Sequence, residues 1–409
     1  MMFWRLRMTP VNILHIIPYF IRANKTGGPA VQLSGLAKAL LTIGNSVTIV
    51  ASTGNLDEEI DLTLEGNLIE VLEQGVPTIY LRRKNNPLPR SYYYAPGLAS
   101  WLQSNLQHFE IVIIHGTWTY FSWKSARICQ KAGKPYLFFV HGSFDPWALN
   151  HHGLKKLPYW HLIEKPNFKK ASGVIVLSQD EADQVLAMGI EKPVFLARNG
   201  LLFPLARVAD PDLVLRQQCP ELENHPFVYF MARLHPKKGL EVLLDAWSRL
   251  HNKHSDWRLV IAGPDEGGYL AKLREIAQQL GVGNSIVFPG LVTGDVKAAF
   301  FQRASLFVLT SFSEGVPGAV IEALGYSLPV LITPGCHLSE IAEAQAGLIV
   351  EPQAQAVANG LDRLIVDTAL REQMGRNAEQ LARSEFDERE VAAGLANFCK
   401  TIVGNYSEG

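Results

Sequence analysis

Continuous apolar runs of strand length recur along the chain: NILHII from Asn12, SVTIVAS from Ser46, EIVIIH from Glu110, PYLFFVH from Pro135, GVIVLS from Gly173, FVYFMA from Phe227, RLVIAG from Arg258, LFVLTS from Leu306 and PVLIT from Pro329. Runs without polar alternation are those of parallel strands covered on both faces. Between them stand stretches with apolar residues at helical spacing and a glycine near the end, such as AVQLSGLAKALLTIG and GGYLAKLREIAQQLG; LEVLLDAWSRLHNK has the same spacing. Strand and helix in alternation predict an α/β chain with parallel sheets. The alternation restarts once. One series runs from about residue 11 to the Arg-Asn-Gly turn at 198–200, a stretch with Pro204, Pro211 and Pro220 follows, and a second series opens at Phe227. We therefore expect two Rossmann-like, doubly wound parallel-sheet domains, residues 1–203 and 204–387. A last helix over about 388–409 would return to the first domain, and the carboxyl ends of the sheets would face each other across a ligand cleft.

Composition agrees with a packed chain and removes several classes. Of 409 residues, 47% are hydrophobic and 19% charged, and the mean hydropathy is +0.05, which is unlike a disordered protein. A formal net charge of -1 gives no electrostatic reason to expect nucleic acid. Cys129, Cys219, Cys336 and Cys399 are far apart and form no Cys-x-x-Cys pair, so neither a zinc site nor a disulfide framework is expected, and a reducing cytoplasm fits. The opening MMFWRLRMTPVNILHIIPYF has basic residues before an apolar run, but the run is broken by His15 and Pro18 and lacks a small-x-small cleavage pattern; it reads as a buried first strand rather than a signal peptide. No segment is long enough to span a bilayer.

Candidate chemistry gathers around EGVPGAVIE, where Glu314 and Glu322 flank an apolar, glycine- and proline-bearing segment. Were the whole segment helical, the two carboxylates would stand about 12 Å apart along the axis. They cannot act as one acid/base pair and would serve different parts of a long ligand. LFVLTS reads as a strand, FSEGVPG as a loop and AVIEAL as a helix start, so the amides near Gly315, Val316, Pro317 and Gly318 form an anion site suited to phosphate. The plain alternative is that Glu314 caps the helix and Glu322 is a solvated surface residue. ARLHPKKG places Arg233 and Lys238 in the loop after FVYFMA, where two cations can neutralise a diphosphate; the plain alternative is a solvated turn at Lys237 and Lys238. Gly27 and Gly28 allow close backbone approach to a phosphate or sugar, or form a simple flexible turn, and no full G-x-G-x-x-G supports a dinucleotide cofactor. Two strands end in His-Gly, at His115 and His141, where an imidazole can donate to a sugar hydroxyl or stabilise charge. DPD at 210–212 matches a D-x-D metal signature but reads as a loop, and no other group has metal-ligand spacing. Residues 151–170 mix lysines with Leu154, Leu157, Tyr159 and Trp160; they read as a solvated rim of the cleft or an element on an anionic membrane surface, with Pro158 and Pro166 interrupting any long helix.

Together these stretches resemble the nucleotide-sugar glycosyltransferases of family 4, retaining enzymes with the GT-B fold. SFSEGVPGAVIEALGYSLPV is similar to the family's E-x7-E region, ARLHPKKG to its arginine/lysine loop, and GGPAVQLSGLAKALLTIGNSVTIV to its N-terminal glycine loop and first helix; HGSFDPWAL and RNG fall in the expected order. The resemblance implies an N-terminal acceptor domain, a C-terminal donor domain and transfer of a hexose, with retention and without a metal or other cofactor. It implies that Arg233 and Lys238 bind the donor diphosphate, Glu322 the ribose, and Glu314 with the 315–318 amides the donor sugar. Gly27 or Gly28 would approach phosphate, His141 would lie beside the reacting centre, and backbone near Gly290 and Leu291 would meet the base. The expected donor is UDP-linked. The expected acceptor is a saccharide or lipid-linked saccharide, as in exopolysaccharide, O-antigen or glycolipid synthesis, with the enzyme cytoplasmic or peripheral at the membrane. A sugar-phosphate acceptor as in sucrose-phosphate synthesis, a nucleotide-sugar epimerase and a non-catalytic sugar-nucleotide binder are the alternatives. Two residues depart from the pattern: Ala232 replaces a glycine before the arginine, and Ser327 stands where a glycine often precedes x-Pro.

Overall fold

In the computed structural model, which describes residues 10–20, 28–53, 68–84, 92–144, 158–198, 200–265 and 267–407, the apolar runs are strands. The chain divides into two units, residues 1–200 with 388–409, and residues 201–387. The first unit carries β1 (Asn12–Tyr19), β2 (Ser46–Ser52), β3 (Leu68–Glu73), β4 (Val76–Leu81), β5 (Ile111–His115), β6 (Tyr136–Phe139), β7 (Gly173–Val176) and β8 (Val194–Leu196). The second carries β9 (Phe227–Met231), β10 (Arg258–Ala262), β11 (Ile286–Gly290), β12 (Leu306–Leu309), β13 (Val330–Ile332) and β14 (Gly347–Ile349). The sheet orders are β3-β4-β2-β1-β5-β6-β7-β8 and β11-β10-β9-β12-β13-β14. Every pairing is parallel except that of β3 with β4. All residues of β5, β6, β7 and β12 are buried, because helices cover both faces.

The antiparallel β3–β4 pair was not expected. Its edge strand, LIEVLE, alternates exposed with less exposed residues, and Gln74 and Gly75, both at positive φ, make the two-residue turn between the strands. The run from Asn12 is a strand whose six central residues are buried. Two expectations need correction. Pro166 does not interrupt the helix: residues 158–170 are helical throughout, because Lys165 N–H bonds the Trp160 carbonyl five residues back and this wide turn carries the helix past a residue that has no N–H. The 210–212 stretch is not a loop but a helix start. Asp210 caps the helix Pro211–Gln218 by accepting from Leu213 N–H, and Asp212 pairs with Arg303 at 2.5 Å.

Each unit closes around its own core. The helices Gly28–Thr42 and Glu388–Ser407 pack together in the first unit, with Leu33, Leu36 and Leu40 of one and Leu395, Ala396 and Cys399 of the other in a single apolar cluster. Phe398 stacks on Phe195 at 5.5 Å between ring centres. In the second unit Leu201 N–H donates to the Phe386 carbonyl at 2.6 Å, tying the entry of the chain to its exit. Among the described residues no helix is long and apolar enough to cross a membrane.

Candidate functional site

Four adjacent strands of the second sheet, β11, β10, β9 and β12, bring their carboxyl ends to one edge, and the expected donor residues follow them. The segment after β9 makes a tight 3-10 turn, Pro236–Lys238, capped where His235 Nδ1 accepts from Lys237 N–H at 3.1 Å. Gly239 then turns left-handed, with φ +66, and a Cβ there would lie 2.0 Å from the Thr310 carbonyl oxygen. Only glycine lets this turn close on the end of β12. The closure is held by Phe312 N–H to the Lys237 carbonyl, 3.0 Å, and by Thr310 Oγ1 to the Gly239 carbonyl, 3.0 Å.

The closure brings Lys238 and Glu314, 76 positions apart, into an ion pair of 2.5 Å with side chains only 13% and 11% exposed. Ser311 Oγ donates to the same Glu314 oxygen at 2.5 Å, and Glu314 N–H is spent on the Gly335 carbonyl at 2.7 Å. Gly335 is tightly placed as well, since a Cβ would come within 2.5 Å of Phe312 backbone. Cys336 lies buried here, its thiol pushed up to about 11 by burial and then by the charge of Glu314. Glu314 therefore anchors Lys238 and does not cap the helix. That helix, Gly318–Gly325, begins after Pro317, and no side chain caps it. Pro317 has no N–H, so in the 315–318 stretch only Gly315, Val316 and Gly318 carry backbone amides.

The other residues are more dispersed. Arg233 is exposed on the same segment as Lys238. Glu322, one turn into its helix, pairs with Lys297 at 2.8 Å; burial, and then the charge of Glu322, pushes the Tyr229 phenol well up. Gly290 has φ +75, its carbonyl accepts from Gly263 N–H at 2.8 Å, and Leu291 beside it is 68% exposed. Gly28 opens the helix Gly28–Thr42 with nothing within 4 Å of a Cβ, and Gly27 lies outside the described residues. Ala232 fits without strain as the residue after β9, its N–H donating to the Ala262 carbonyl at 3.1 Å. Ser327 has φ +62, which is why glycine suits this position; its hydroxyl donates to Glu379 at 2.7 Å.

In the first unit His141 follows β6 in a turn where His141 and Gly142 are both left-handed, with φ +51 and +72. Glu181 holds the turn by accepting from Gly142 N–H with one oxygen and from Leu177 N–H with the other. His141 stacks on Phe139 at 4.0 Å and joins His115 and His15 in a hydrogen-bonded row. The sequence singled out His115 beside His141 and gave His15 no role beyond breaking an apolar run. The adjacency of β1, β5 and β6 is what aligns the three. Glu164 was also missed. It is buried, accepts from Trp118 N–H at 2.8 Å, lies 3.0 Å from Ser122 Oγ, and its carboxyl is raised to about 7 by burial. Around it Trp118, Tyr159, Tyr92, Tyr120 and Tyr94 form an aromatic cluster.

Comparison with known proteins places this geometry in a family. Residues 26–201 match Glycosyltransferase Family 4 and residues 214–381 match Glycosyl transferases group 1. An uncharacterized glycosyltransferase of Methanocaldococcus jannaschii is 24% identical over 92% of this chain and 95% of its own. The D-inositol 3-phosphate glycosyltransferase of Streptomyces bingchenggensis is 25% identical over 93% and 86%. Among solved structures, the Anabaena protein HepE in complex with UDP and glucose superposes with a TM-score of 0.74 at 20% identity, covering 96% of this chain and all of that one. The sucrose-phosphate synthase of Thermosynechococcus elongatus gives 0.73 at 19%, over 97% and 100%. These likenesses in structure are likenesses of fold. With both family matches in sequence order and two Rossmann-like parallel-sheet units, the chain belongs to glycosyltransferase family 4 and has the GT-B fold.

Proposed function

We propose that this glycosyltransferase moves a hexose from a UDP-linked donor to a saccharide or lipid-linked saccharide, with retained anomeric configuration and without a metal. The observation that carries the reading is the largely buried Lys238–Glu314 pair at the carboxyl end of the second sheet, near the uncapped start of the helix Gly318–Gly325. Burial gives the ammonium a fixed position and makes its field strong in a low-dielectric setting. The donor's diphosphate would take up Lys238 and Arg233 as cations and the Gly318 end of the helix as amide donors. Glu314, on the other side of Lys238, would keep the ammonium in place and accept from a hydroxyl of the donor sugar. Glu322 would serve the ribose, the backbone at Gly290 and Leu291 the base, and Gly28 with Gly27 a phosphate. His141 would meet the transferred sugar.

In this mechanism negative charge gathers on the leaving diphosphate as the anomeric carbon becomes oxocarbenium-like, and fixed cations act where that charge develops. The acceptor hydroxyl attacks from the face the phosphate leaves, and that phosphate takes its proton. The donor fits what HepE is seen to bind, UDP and glucose. Arg233→Ala and Lys238→Ala should each lower turnover on the order of 10²-fold, measured as UDP release from UDP-glucose with an acceptor panel that includes sugar phosphates. Near-normal rates in both variants would remove the diphosphate role. Donor consumption without any acceptor would favour an epimerase, and donor binding without turnover a non-catalytic binder.

A further inference from the structure

We infer that His15 and His115 lock His141 as a neutral imidazole carrying its proton on Nδ1, so that it meets its ligand as a hydrogen-bond donor and not as a base. The three rings sit on, or just after, adjacent strands: His15 in β1, His115 at the end of β5 and His141 two residues past β6. His15 Nδ1 lies 2.8 Å from His115 Nε2, and His115 Nδ1 lies 2.8 Å from His141 Nε2. Each contact needs one proton between its two nitrogens. A neutral His115 has one proton, so it donates in one contact and accepts in the other, and all three rings must follow the same direction. Only two registers exist. In one, every ring is protonated on Nδ1 and the spare N–H is at His141; in the other, every ring is protonated on Nε2 and the spare N–H is at His15.

Burial keeps the row neutral: His15 and His141 are lowered to about 3, and His115 is pushed well below its usual value by burial and then by its two neighbours. The ends choose the register. His15 is fully buried within β1, and its Nε2 has no partner among the described residues. An orphaned N–H there is costlier than an orphaned lone pair, as the rarity of buried unpaired N–H groups indicates. His141 is half-buried as a residue whereas His15 is wholly inside, so although His141 Nδ1 is itself shielded and unpartnered among the described residues, it belongs to the ring that reaches the surface and is the end that a ligand can satisfy. The proton therefore rests at the outer end. Phe139 stacked on the His141 ring and Glu181 on the turn hold that N–H in one direction.

The assignment deepens the proposed function, since the oxygen that accepts from Nδ1–H would belong to the donor's sugar or phosphate. It can be tested without turnover. Nitrogen-15 NMR of the histidine side chains in the ligand-free full chain should find Nδ1 protonated and Nε2 bare in all three; a charged row or an Nε2-protonated His141 overturns it. Adding UDP-glucose should shift the His141 Nδ1–H resonance and leave its tautomer unchanged. His115→Leu removes the donor that fixes His141 and should lower kcat/KM on the order of tenfold or more, with His141 free to move its proton to Nε2, whereas His115→Asn keeps an amide donor near the Nδ1 position and should recover most of the loss. Equal losses in the two variants with an unchanged His141 tautomer would overturn the positioning role. Should the leucine variant fail to fold, the wild-type spectrum alone decides. A wild-type enzyme that turns over no nucleotide sugar would refute the proposed function and leave the tautomer result standing.

Discussion

The largely buried pair of Lys238 and Glu314 makes a demand that can be measured on stability. Neither charge is well solvated, and removing one leaves the other buried alone, which costs more than the pair contributes. Lys238→Met should lower unfolding free energy by about 2–4 kcal/mol. Combining it with Glu314→Gln should restore part of that in a denaturant titration; strictly additive losses would mean that the two do not interact. Gly239 is a sharper case, because both its φ of +66 and the 2.0 Å approach to the Thr310 carbonyl exclude a Cβ. Gly239→Ala should cost at least about 3 kcal/mol and pull Lys238 off Glu314. The partnership of Lys238 with Glu314 was not legible in the sequence, since a contact over 76 positions depends on how the segments after β9 and β12 close. The glycine that permits it was visible only as one more residue in ARLHPKKG.

Elements were legible where burial is complete and obscure where it is partial. SVTIVAS coincides with β2 at both ends and PVLIT contains the wholly buried β13, whereas β8 and β14, partly exposed and three residues each, are held by neighbours more than by their own propensity. The histidine row and the aromatic cluster around Glu164 come from strand order and from a wide helical turn, neither of which has a periodicity to read. That turn, Trp160–Glu164, holds a carboxyl whose behaviour has a definite sign. Folded, Glu164 stays protonated up to about 7; unfolded, it ionises near 4.5. Between those values the folded chain binds the extra proton, so stability falls as pH rises through this window and is level above it. Glu164→Gln keeps the oxygen that accepts from Trp118 N–H and removes the titration. Wild type minus variant, followed by denaturant midpoint, should therefore lose roughly 2–3 kcal/mol between about pH 5 and about pH 8. A flat difference would show that Glu164 is ionised in the fold throughout.

At the scale of the whole chain the two units differ in how they are threaded. Residues 201–387 are continuous, while the first unit needs both 1–200 and 388–409. Cutting after Asp387 strips the helix Gly28–Thr42 of the partner face carrying Ala392, Leu395, Ala396, Cys399 and Ile402, all buried. Burying a leucine or isoleucine side chain stabilises by about 1.5–3 kcal/mol, so two of them with three smaller groups amount to a large share of a domain's marginal stability. Residues 1–200 alone should therefore be unstable or aggregate, and adding a peptide of residues 388–409 should rescue them. Residues 201–387 alone should fold with one cooperative transition, because the core from Leu201 through Phe386 closes within that stretch. This excised unit also isolates the donor hypothesis. If Lys238, Glu314 and the Gly318 helix end hold the diphosphate, UDP should raise its thermal midpoint, and Lys238→Ala in the same unit should abolish the rise. A unit that folds cooperatively and yet ignores UDP at millimolar concentration would place donor recognition elsewhere in the chain.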